Sequence, residues 1–286
     1  MQLDPLSPAF QAIISQQVSQ ALAEDIGVAD YTATLTDNQQ IAHASVVVRE
    51  PAVICGFAWV EQVFQQLSDQ IELTWHCREG ERVQADQVIL QLRGPATALL
   101  TGERTALNFL QTLSAVSTLT RRYVELLEGT QARIMDTRKT IPGLRLAQKY
   151  AVKVGGGMNQ RLGLYDGILI KENHIMAAGS IAVALQKAQQ LAQQHDLPVQ
   201  IEVENLDELQ QALQAGAKLI LLDNFSIEML KQAVQINQHQ ATLEASGGVT
   251  LDTVREIALT GVDRISTGDL TKNIQAIDLS MRLHSL

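Results

Sequence analysis

The sequence contains little cysteine and no long apolar run, and each shortage excludes a class of protein. Its 286 residues include only two cysteines, Cys55 and Cys77. Neither belongs to a CxxC pair, so we expect neither a disulfide framework nor a zinc site, and two reduced thiols are typical of a cytoplasmic protein. No uncharged apolar run reaches the length of about 18 residues that a membrane helix needs, and the N-terminus lacks a basic stretch followed by an apolar core. The sequence therefore predicts neither a membrane span nor a signal peptide.

Positive charge is also scarce. The chain has 22 lysines and arginines against 31 aspartates and glutamates, which gives a formal net charge of −9. This balance lacks the broad basic face that nucleic acid requires, so we expect no nucleic-acid partner. The hydrophobic content of 46% and the charged content of 19% are typical of a chain with a packed core.

The first hundred residues combine alternating strands with helices. Helices are predicted over 9–26 and 57–67, where apolar residues recur at helical spacing. Alternation of apolar and polar residues predicts strands over 41–49, 71–76 and 87–93. A long helical region is predicted over 96–128, with a break near 114–117. The mixture indicates an α+β unit.

After Gly129, short apolar runs alternate with helical segments. The predicted strands cover 132–136, 167–171, 199–204, 219–223, 242–246 and 262–266, with a further short strand at 152–154. Strand–helix alternation predicts a parallel sheet, either in a barrel or in a doubly wound sheet. No GxGxxG follows the first of these strands, which disfavours the dinucleotide-binding version.

The apolar runs end on polar residues, namely Asp136, Lys171, Glu202 or Glu204, Asp223, Ser246 and Ser266. In a parallel barrel the carboxyl ends of all strands meet on one face, and that face holds the active site. Six polar residues should therefore converge although they are scattered in sequence. They are Arg138, Lys139, Lys171, Glu202, Asp223 and Ser246.

Cations are concentrated in one window of this acidic chain, which indicates a small anionic ligand. The window contains Arg138, Lys139, Arg145, Lys149, Lys153, Arg161 and Lys171. Guanidinium groups bind carboxylates with two parallel hydrogen bonds, so Arg138 and Arg161 fit a ligand with carboxylates. The loops Ser246–Thr250 and Ser266–Gly268 follow the last strands and contain glycines. They predict a phosphate site, since barrel enzymes commonly bind phosphate there.

Glu202 and Asp223 end successive strands and suit Mg²⁺, which prefers oxygen ligands and bridges to substrate phosphates. A general acid/base pair and a structural ion pair with Lys171 are the alternatives. Lys171 is also at the position from which barrel aldolases form a Schiff base, so an aldolase remains an alternative function.

Six segments together resemble the quinolinate phosphoribosyltransferase family. They cover 136–145, 155–161, 169–175, 201–205, 222–225 and 244–249, and the resemblance extends from about residue 10 to the C-terminus. It implies an α/β fold with an N-terminal α/β sandwich domain and an open, incomplete parallel α/β barrel. The expected domains are 1–112, rejoined by about 271–286, and 113–270, which carries the active site.

The resemblance also implies an activity. The reaction is transfer of phosphoribosyl from phosphoribosyl pyrophosphate to quinolinate with decarboxylation, giving nicotinate mononucleotide, pyrophosphate and CO₂ in NAD biosynthesis, with Mg²⁺. It further implies a homodimer with shared active sites. Arg104, which by pattern alone is half of a helical ion pair with Glu103, would then reach quinolinate from the other subunit.

The resemblance assigns the remaining residues as follows. Arg138, Lys139 and Arg161 would bind the carboxylates of quinolinate, and Lys139 and Lys171 would lie near the pyrophosphate and the ribose. Glu202 and Asp223 would bind ribose hydroxyls and Mg²⁺. Lys139, Lys171, Glu202 and Asp223 are the expected catalytic residues. The 5′-phosphate cradle would comprise Ser246, Gly247, Gly248 and Gly268.

One position departs from the family, which usually has histidine where this chain has Gln160. Gln160 remains an expected substrate-binding residue, because glutamine can still donate a hydrogen bond to a carboxylate or phosphate, but it cannot carry charge. This difference leaves two further alternatives open beside the aldolase. One is a phosphoribosyltransferase of the same scaffold that acts on another base, and the other is a non-catalytic protein that binds a phosphorylated metabolite.

Overall fold

The structure is a computed structural model that describes residues 3–36 and 40–284. Its helices are α1 (Pro8–Ile26), α2 (Phe57–Leu67), α3 (Ala96–Leu126), α4 (Arg145–Val154), α5 (Glu172–Ala178), α6 (Ile181–His195), α7 (Leu206–Gln214), α8 (Ile227–Asn237), α9 (Val254–Ala258) and α10 (Asp269–Lys272). Its strands are β1 (Ile41–Val48), β2 (Ala52–Val53), β3 (Glu72–Trp75), β4 (Arg82–Val83), β5 (Val88–Pro95), β6 (Arg133–Met135), β7 (Ile168–Ile170), β8 (Val199–Val203), β9 (Leu219–Asp223), β10 (Thr242–Ser246), β11 (Arg264–Ser266) and β12 (Leu279–His284). No helix within these described ranges is both long enough and apolar enough to cross a membrane.

The chain divides into two compact units. The first comprises the residues up to 119, residues 141–156 and the residues from 274 onward. The second comprises residues 120–140 and 157–273. The first division therefore falls within α3, and each unit is built from more than one segment of the chain.

The first unit contains a four-stranded antiparallel sheet in the order β12-β1-β5-β3. β12 comes from the C-terminal end and pairs with β1 in the register Val48↔Leu279. Apolar side chains of β1 and β5 are buried on one side of this sheet, and β2 and β4 form a separate two-stranded pair. The C-terminal segment thus completes the N-terminal sheet.

The second unit contains a six-stranded parallel sheet in the order β6-β11-β10-β9-β8-β7. The order ends at β6 on one side and at β7 on the other, so the barrel is not closed. The predicted fold class, an N-terminal α/β domain with an open parallel α/β barrel, is confirmed.

Two local predictions are wrong. Residues 152–154 are the last turn of α4 and not a strand, because Ala147, Ala151 and Val152 recur on one buried helical face. The long helix α3 also continues through 114–117 without a break.

The two serines in that stretch of α3 are fully buried and bond to neighbouring backbone. Ser114 accepts a hydrogen bond from the N–H of Cys55 at 3.0 Å, and Ser117 donates one to the carbonyl of Val53 at 2.6 Å. Polar residues inside a helix therefore mark a contact with an adjacent segment here and not the end of the helix.

A largely buried carboxylate holds the start of α2. Glu79 accepts hydrogen bonds from the N–H groups of Gly56 at 2.8 Å and Phe57 at 3.1 Å, and from the hydroxyl of Tyr150 at 3.3 Å. The first amides of a helix have no partner within the helix, so an external acceptor satisfies them. Burial raises the pKa of Glu79 above its usual 4.5, and the hydrogen bonds offset only part of this effect.

We expect Glu79→Ala to lower the free energy of unfolding by about 1–3 kcal/mol, because three donors lose their acceptor. Urea denaturation measures this change. Glu24→Ala, at an exposed position of α1, is the matched control and should stay within about 0.5 kcal/mol of the wild type. Equal stability of the two variants would contradict the capping role of Glu79.

Candidate active site

A pocket of about 420 Å³ lies at the carboxyl ends of the parallel strands in the second unit. The six residues that the sequence predicts to converge all line it: Arg138, Lys139, Lys171, Glu202, Asp223 and Ser246. Gln160, Arg161 and Ser266 line the same pocket. The structure therefore brings together residues that are more than a hundred positions apart in the sequence.

The register of the strands explains this convergence. Glu202 pairs with Leu221 across β8 and β9, and Ser246 pairs with both Asp223 and Ser266 across their neighbouring strands. Residues in register that share a side of the sheet point in the same direction. Glu204 comes one residue after the end of β8, is exposed, and does not line this pocket. Of the two glutamates considered from the sequence, Glu202 is therefore the one at the site.

Two guanidinium groups form one side of the pocket. The Nε atom of Arg138 is the buried side-chain polar atom, within the described part of the chain, for which no hydrogen-bond partner is present. Arg161 donates from Nη1 to the carbonyl of Gly167 at 3.1 Å. Arg138 and Arg161 both line the pocket, and burial and then the charge of Arg138 lower the pKa of Arg161. An anionic ligand with more than one carboxylate complements such a pair.

Lys171, Glu202 and Asp223 form the other charged side. The ammonium of Lys171 is 2.5 Å from Glu202 Oε2, so the ion pair considered from the sequence is present. Burial raises the pKa of Asp223, the charge of Glu202 raises it further, and Lys171 and Lys139 oppose the rise. The two carboxylates are therefore close enough to repel each other, and a divalent cation would relieve that repulsion.

The donor set is compatible with Mg²⁺ but not with a cation held by protein side chains alone. No group of three or more His, Cys, Asp or Glu residues arranged to hold a metal occurs in the ranges that the structure describes. Mg²⁺ is commonly bound by one or two carboxylates together with waters and substrate phosphates. Glu202 and Asp223 would meet that requirement only if a bound ligand supplied further oxygens.

The glycines beside the pocket leave room for functional side chains. Gly247 has φ of +99°, and a Cβ atom there would collide with the side chain of Asn224. Asn224 in turn donates to Asp223 Oδ2 at 2.8 Å and bonds through its N–H to the carbonyl of Ser246 at 2.8 Å. Gly247 thus allows Asn224 to hold the carboxylate of Asp223.

Gly268 has an ordinary φ of −74°, so it is not required for its backbone conformation. A Cβ atom at this position would lie 2.9 Å from Cδ of Lys139. The hydroxyl of Thr271 also donates to the carbonyl of Lys139 at 2.8 Å. The segment that follows β11 therefore determines where the ammonium of Lys139 can reach.

Sequence reasoning missed several residues that support the site, namely Asp166, Gln200, Asn224 and Glu244. Asp166 accepts hydrogen bonds from the N–H groups of Leu162 at 2.8 Å and Gly163 at 2.9 Å, which shapes the loop after Arg161. Glu244 could have been found, because it is two residues before Ser246 on the same strand and so shares its face. Nothing in the local sequence indicates the contacts of Asp166.

Arg104 lies elsewhere in the chain. It is an exposed residue of α3 in the first unit. Burial raises the pKa of the adjacent Glu103, and the charge of Arg104 offsets only part of this rise.

Comparisons with known proteins agree on one family. The sequence model of the quinolinate phosphoribosyl transferase N-terminal domain matches residues 30–114, and that of the C-terminal domain matches residues 116–282. The chain is 39% identical over 273 residues to the nicotinate-nucleotide pyrophosphorylase [carboxylating] of Mycobacterium leprae, covering 93% of this chain and 95% of the relative. It is 35% identical over 303 residues to the quinolinate phosphoribosyltransferase [decarboxylating] 2, mitochondrial, of Nicotiana glauca, and the match covers 98% of this chain and 85% of that relative. The structure of the nicotinate-nucleotide pyrophosphorylase from Francisella tularensis superposes with a TM-score of 0.93 at 45% identity, covering 96% of this chain and 97% of that chain.

We expect Gly247→Ala to lower the free energy of unfolding more than Gly179→Ala does. Both positions have similar positive φ values, +99° and +92°, so each alanine carries strain of about 1–3 kcal/mol. Only Gly247 faces a neighbouring side chain, and the collision with Asn224 should add about 1–3 kcal/mol. Chemical denaturation measures both variants.

The double variant Gly247→Ala with Asn224→Gly removes the colliding side chain. It should recover the additional loss in the free energy of unfolding, because Asn224 also has positive φ and glycine tolerates that conformation. If the double variant were as unstable as Gly247→Ala alone, the contact with Asn224 would not be the reason for glycine at this position.

Proposed function

This chain belongs to the quinolinate phosphoribosyltransferase family, and on that basis we propose that it transfers phosphoribosyl from phosphoribosyl pyrophosphate to quinolinate with decarboxylation. The products are nicotinate mononucleotide, pyrophosphate and CO₂, as a step of NAD biosynthesis. The observation that carries the proposal is a single pocket with paired guanidinium groups on one side and a lysine with two carboxylates on the other.

The guanidinium side suits quinolinate, a pyridine with two adjacent carboxylates. Arg138 and Arg161 lie close together, and Nε of Arg138 has a hydrogen bond to offer. Lys139 lies beside them in the pocket and supplies a third positive charge. Three cations against two carboxylates give the tight, oriented binding that places the ring nitrogen toward the sugar.

The remaining residues suit phosphoribosyl pyrophosphate. Ser246, Gly247, Gly248 and Gly268 would bind the 5′-phosphate, and the carboxylates of Glu202 and Asp223 would accept hydrogen bonds from the ribose hydroxyls. Gly247 and Gly248 have positive φ, which turns the backbone sharply after β10. Lys139 and Lys171 would contact the pyrophosphate.

Mg²⁺ fits the same place. Glu202 and Asp223 would hold it together with substrate oxygens, and when bound it would supply positive charge beside the leaving pyrophosphate.

The bond changes of the reaction match these charges. As the bond from the anomeric carbon to pyrophosphate breaks, negative charge grows on pyrophosphate, and the ammonium groups of Lys139 and Lys171 stabilise it. Positive charge grows on the anomeric carbon, near the carboxylates of Glu202 and Asp223. The lone pair of the pyridine nitrogen forms the new C–N bond and leaves the ring cationic.

The cationic ring then accepts electrons. The bond between the ring and the carboxylate next to the nitrogen breaks, CO₂ leaves, and the electron pair stays on the ring carbon until a proton replaces it. Arg138 and Arg161 orient the carboxylates during both steps. No organic cofactor is needed in this scheme.

We also propose a cytoplasmic homodimer in which Arg104 of one subunit reaches quinolinate in the site of the other. The exposure of Arg104 on α3 and the similarity to the family support this assignment. The two free cysteines support a reducing compartment.

A direct assay tests the activity. Purified protein is mixed with phosphoribosyl pyrophosphate, Mg²⁺ and either quinolinate or nicotinate, and nicotinate mononucleotide is quantified. We expect nicotinate mononucleotide in the tube with quinolinate and none in the tube with nicotinate. Product from nicotinate would favour a transferase for another base. Binding of phosphoribosyl pyrophosphate without product in either tube would favour a non-catalytic binding protein.

We expect Lys139→Ala and Lys171→Ala to lower kcat about 100-fold, because each removes a positive charge that faces the leaving group. The midpoint of thermal unfolding should change little in comparison. Lys187→Ala, at an exposed position of α6, is the matched control and should keep wild-type kcat. Wild-type turnover in either site variant would remove that lysine from the mechanism, and borohydride trapping of a substrate on Lys171 would favour the aldolase.

Mixing two inactive variants tests the shared site. Arg104→Ala and Lys139→Ala are each expected to be nearly inactive, but a hybrid dimer contains one site with neither substitution. After subunit exchange in equal amounts, we expect about one quarter of the wild-type activity. Absence of any recovery, with hybrid dimers demonstrated by differential tagging, would show that Arg104 acts within its own subunit or not at all.

A further inference from the structure

Three side chains form a closed ring of hydrogen bonds, and two of them, Gln160 and Glu244, line the pocket. Nε2 of Gln160 donates to Glu244 Oε1 at 2.5 Å and to Gln200 Oε1 at 3.1 Å. Nε2 of Gln200 donates to Glu244 Oε2 at 3.0 Å. Glu244 is only 1% exposed and Gln200 is 7% exposed, so these two members of the ring are shielded from water, whereas Gln160 is half-buried.

The chemistry of the three groups determines the direction of each bond. A carboxylate only accepts hydrogen bonds, so both glutamines must present their nitrogen atoms to Glu244. The oxygen of Gln200 can then accept only from Gln160. Both hydrogens of the Gln160 amide are therefore used inside the ring, and neither is available to a ligand in the pocket.

The backbone at Gln160 is held as well. Asp136 directly follows β6, is fully buried, and accepts hydrogen bonds from the N–H of Gln160 at 2.9 Å and from Nδ2 of Asn159 at 2.6 Å. Residue 160 is thus attached to β6 through its backbone and to β8 and β10 through its side chain. Arg161 is the next residue in the chain, so these attachments fix the backbone position from which its side chain extends into the pocket.

We propose that Glu244 and Gln200 are positioning residues, which act through Gln160 to hold Arg161 beside Arg138, and that Gln160 is not itself a donor to the substrate. This inference rests on the proposed function, because it assigns the two guanidinium groups to the carboxylates of quinolinate. Two neighbouring cations repel each other, and a rigid attachment keeps Arg161 in place before the ligand neutralises that repulsion.

The test uses Glu244→Gln, Gln160→Ala and the double variant. Glu244→Gln preserves size but replaces an accepting oxygen with an NH₂ group that faces another NH₂ group, so the ring cannot close in its present form. We expect the KM for quinolinate to rise about tenfold while the KM for phosphoribosyl pyrophosphate stays within about twofold. Glu256→Gln, at an exposed position of α9, is the matched control and should leave both KM values unchanged.

The double variant separates positioning through Gln160 from an independent role. If Glu244 acts through Gln160, then Glu244→Gln should raise the KM for quinolinate no further once Gln160 is alanine. Multiplied effects in the double variant, or an equal rise of both KM values in Glu244→Gln, would overturn the proposal. So would a wild-type KM for quinolinate in Gln160→Ala.

A binding measurement separates failure of this proposal from failure of the proposed activity. Benzene-1,2-dicarboxylate has the same two adjacent carboxylates but no ring nitrogen, and calorimetry gives its affinity without turnover. We expect Glu244→Gln to weaken it about tenfold and Glu256→Gln to leave it unchanged. Equal affinity of wild type and Glu244→Gln would overturn the positioning role even if the wild type formed product. Absence of product from the wild type, with weakened binding in Glu244→Gln, would count against the activity alone.

Discussion

The site depends on holding side chains of like charge close together at the carboxyl ends of the parallel strands. Burial and the charge of Arg138 lower the pKa of Arg161, and burial and the charge of Glu202 raise the pKa of Asp223 on the opposite side. Such an arrangement costs free energy in the absence of ligand, and rigid strands and buried hydrogen bonds provide the restraint that maintains it. In the proposed reaction the carboxylates of quinolinate would neutralise the two guanidinium groups, and Mg²⁺ would relieve the repulsion between the two carboxylates.

Supporting residues hold the functional side chains of the pocket in place through hydrogen bonds. Asn224 holds Asp223, Asp166 shapes the loop after Arg161, and Glu244 with Gln200 holds Gln160. Two glycines serve the same purpose by leaving space for a neighbour. Catalytic geometry of this kind requires that each functional side chain have one position before substrate arrives.

Much of the fold could be predicted from the sequence because its signals are local. The strand Leu219–Asp223, the strand Thr242–Ser246 and the helix Phe57–Leu67 have the predicted bounds. The failures also have physical reasons. Val152 and Val154 indicate a strand by composition, but they belong to α4, where Val152 is buried. The serines of α3 indicate a break, but they bond to adjacent backbone. In each case a tertiary contact outweighs the local preference.

The sequence by itself determined the family, the parallel α/β architecture and the strand-end residues that line the pocket, because periodicity and motif order are properties of a linear chain. Only the tertiary structure showed that Glu204 lies outside the pocket, revealed that both amide hydrogens of Gln160 are used inside a hydrogen-bonded ring, and showed that Gly268 provides space for Lys139. These outcomes depend on which side chains share a face and on distances of a few ångströms between residues far apart in sequence. No local pattern encodes such distances, since they arise from the register of the strands and the packing of the loops that follow them.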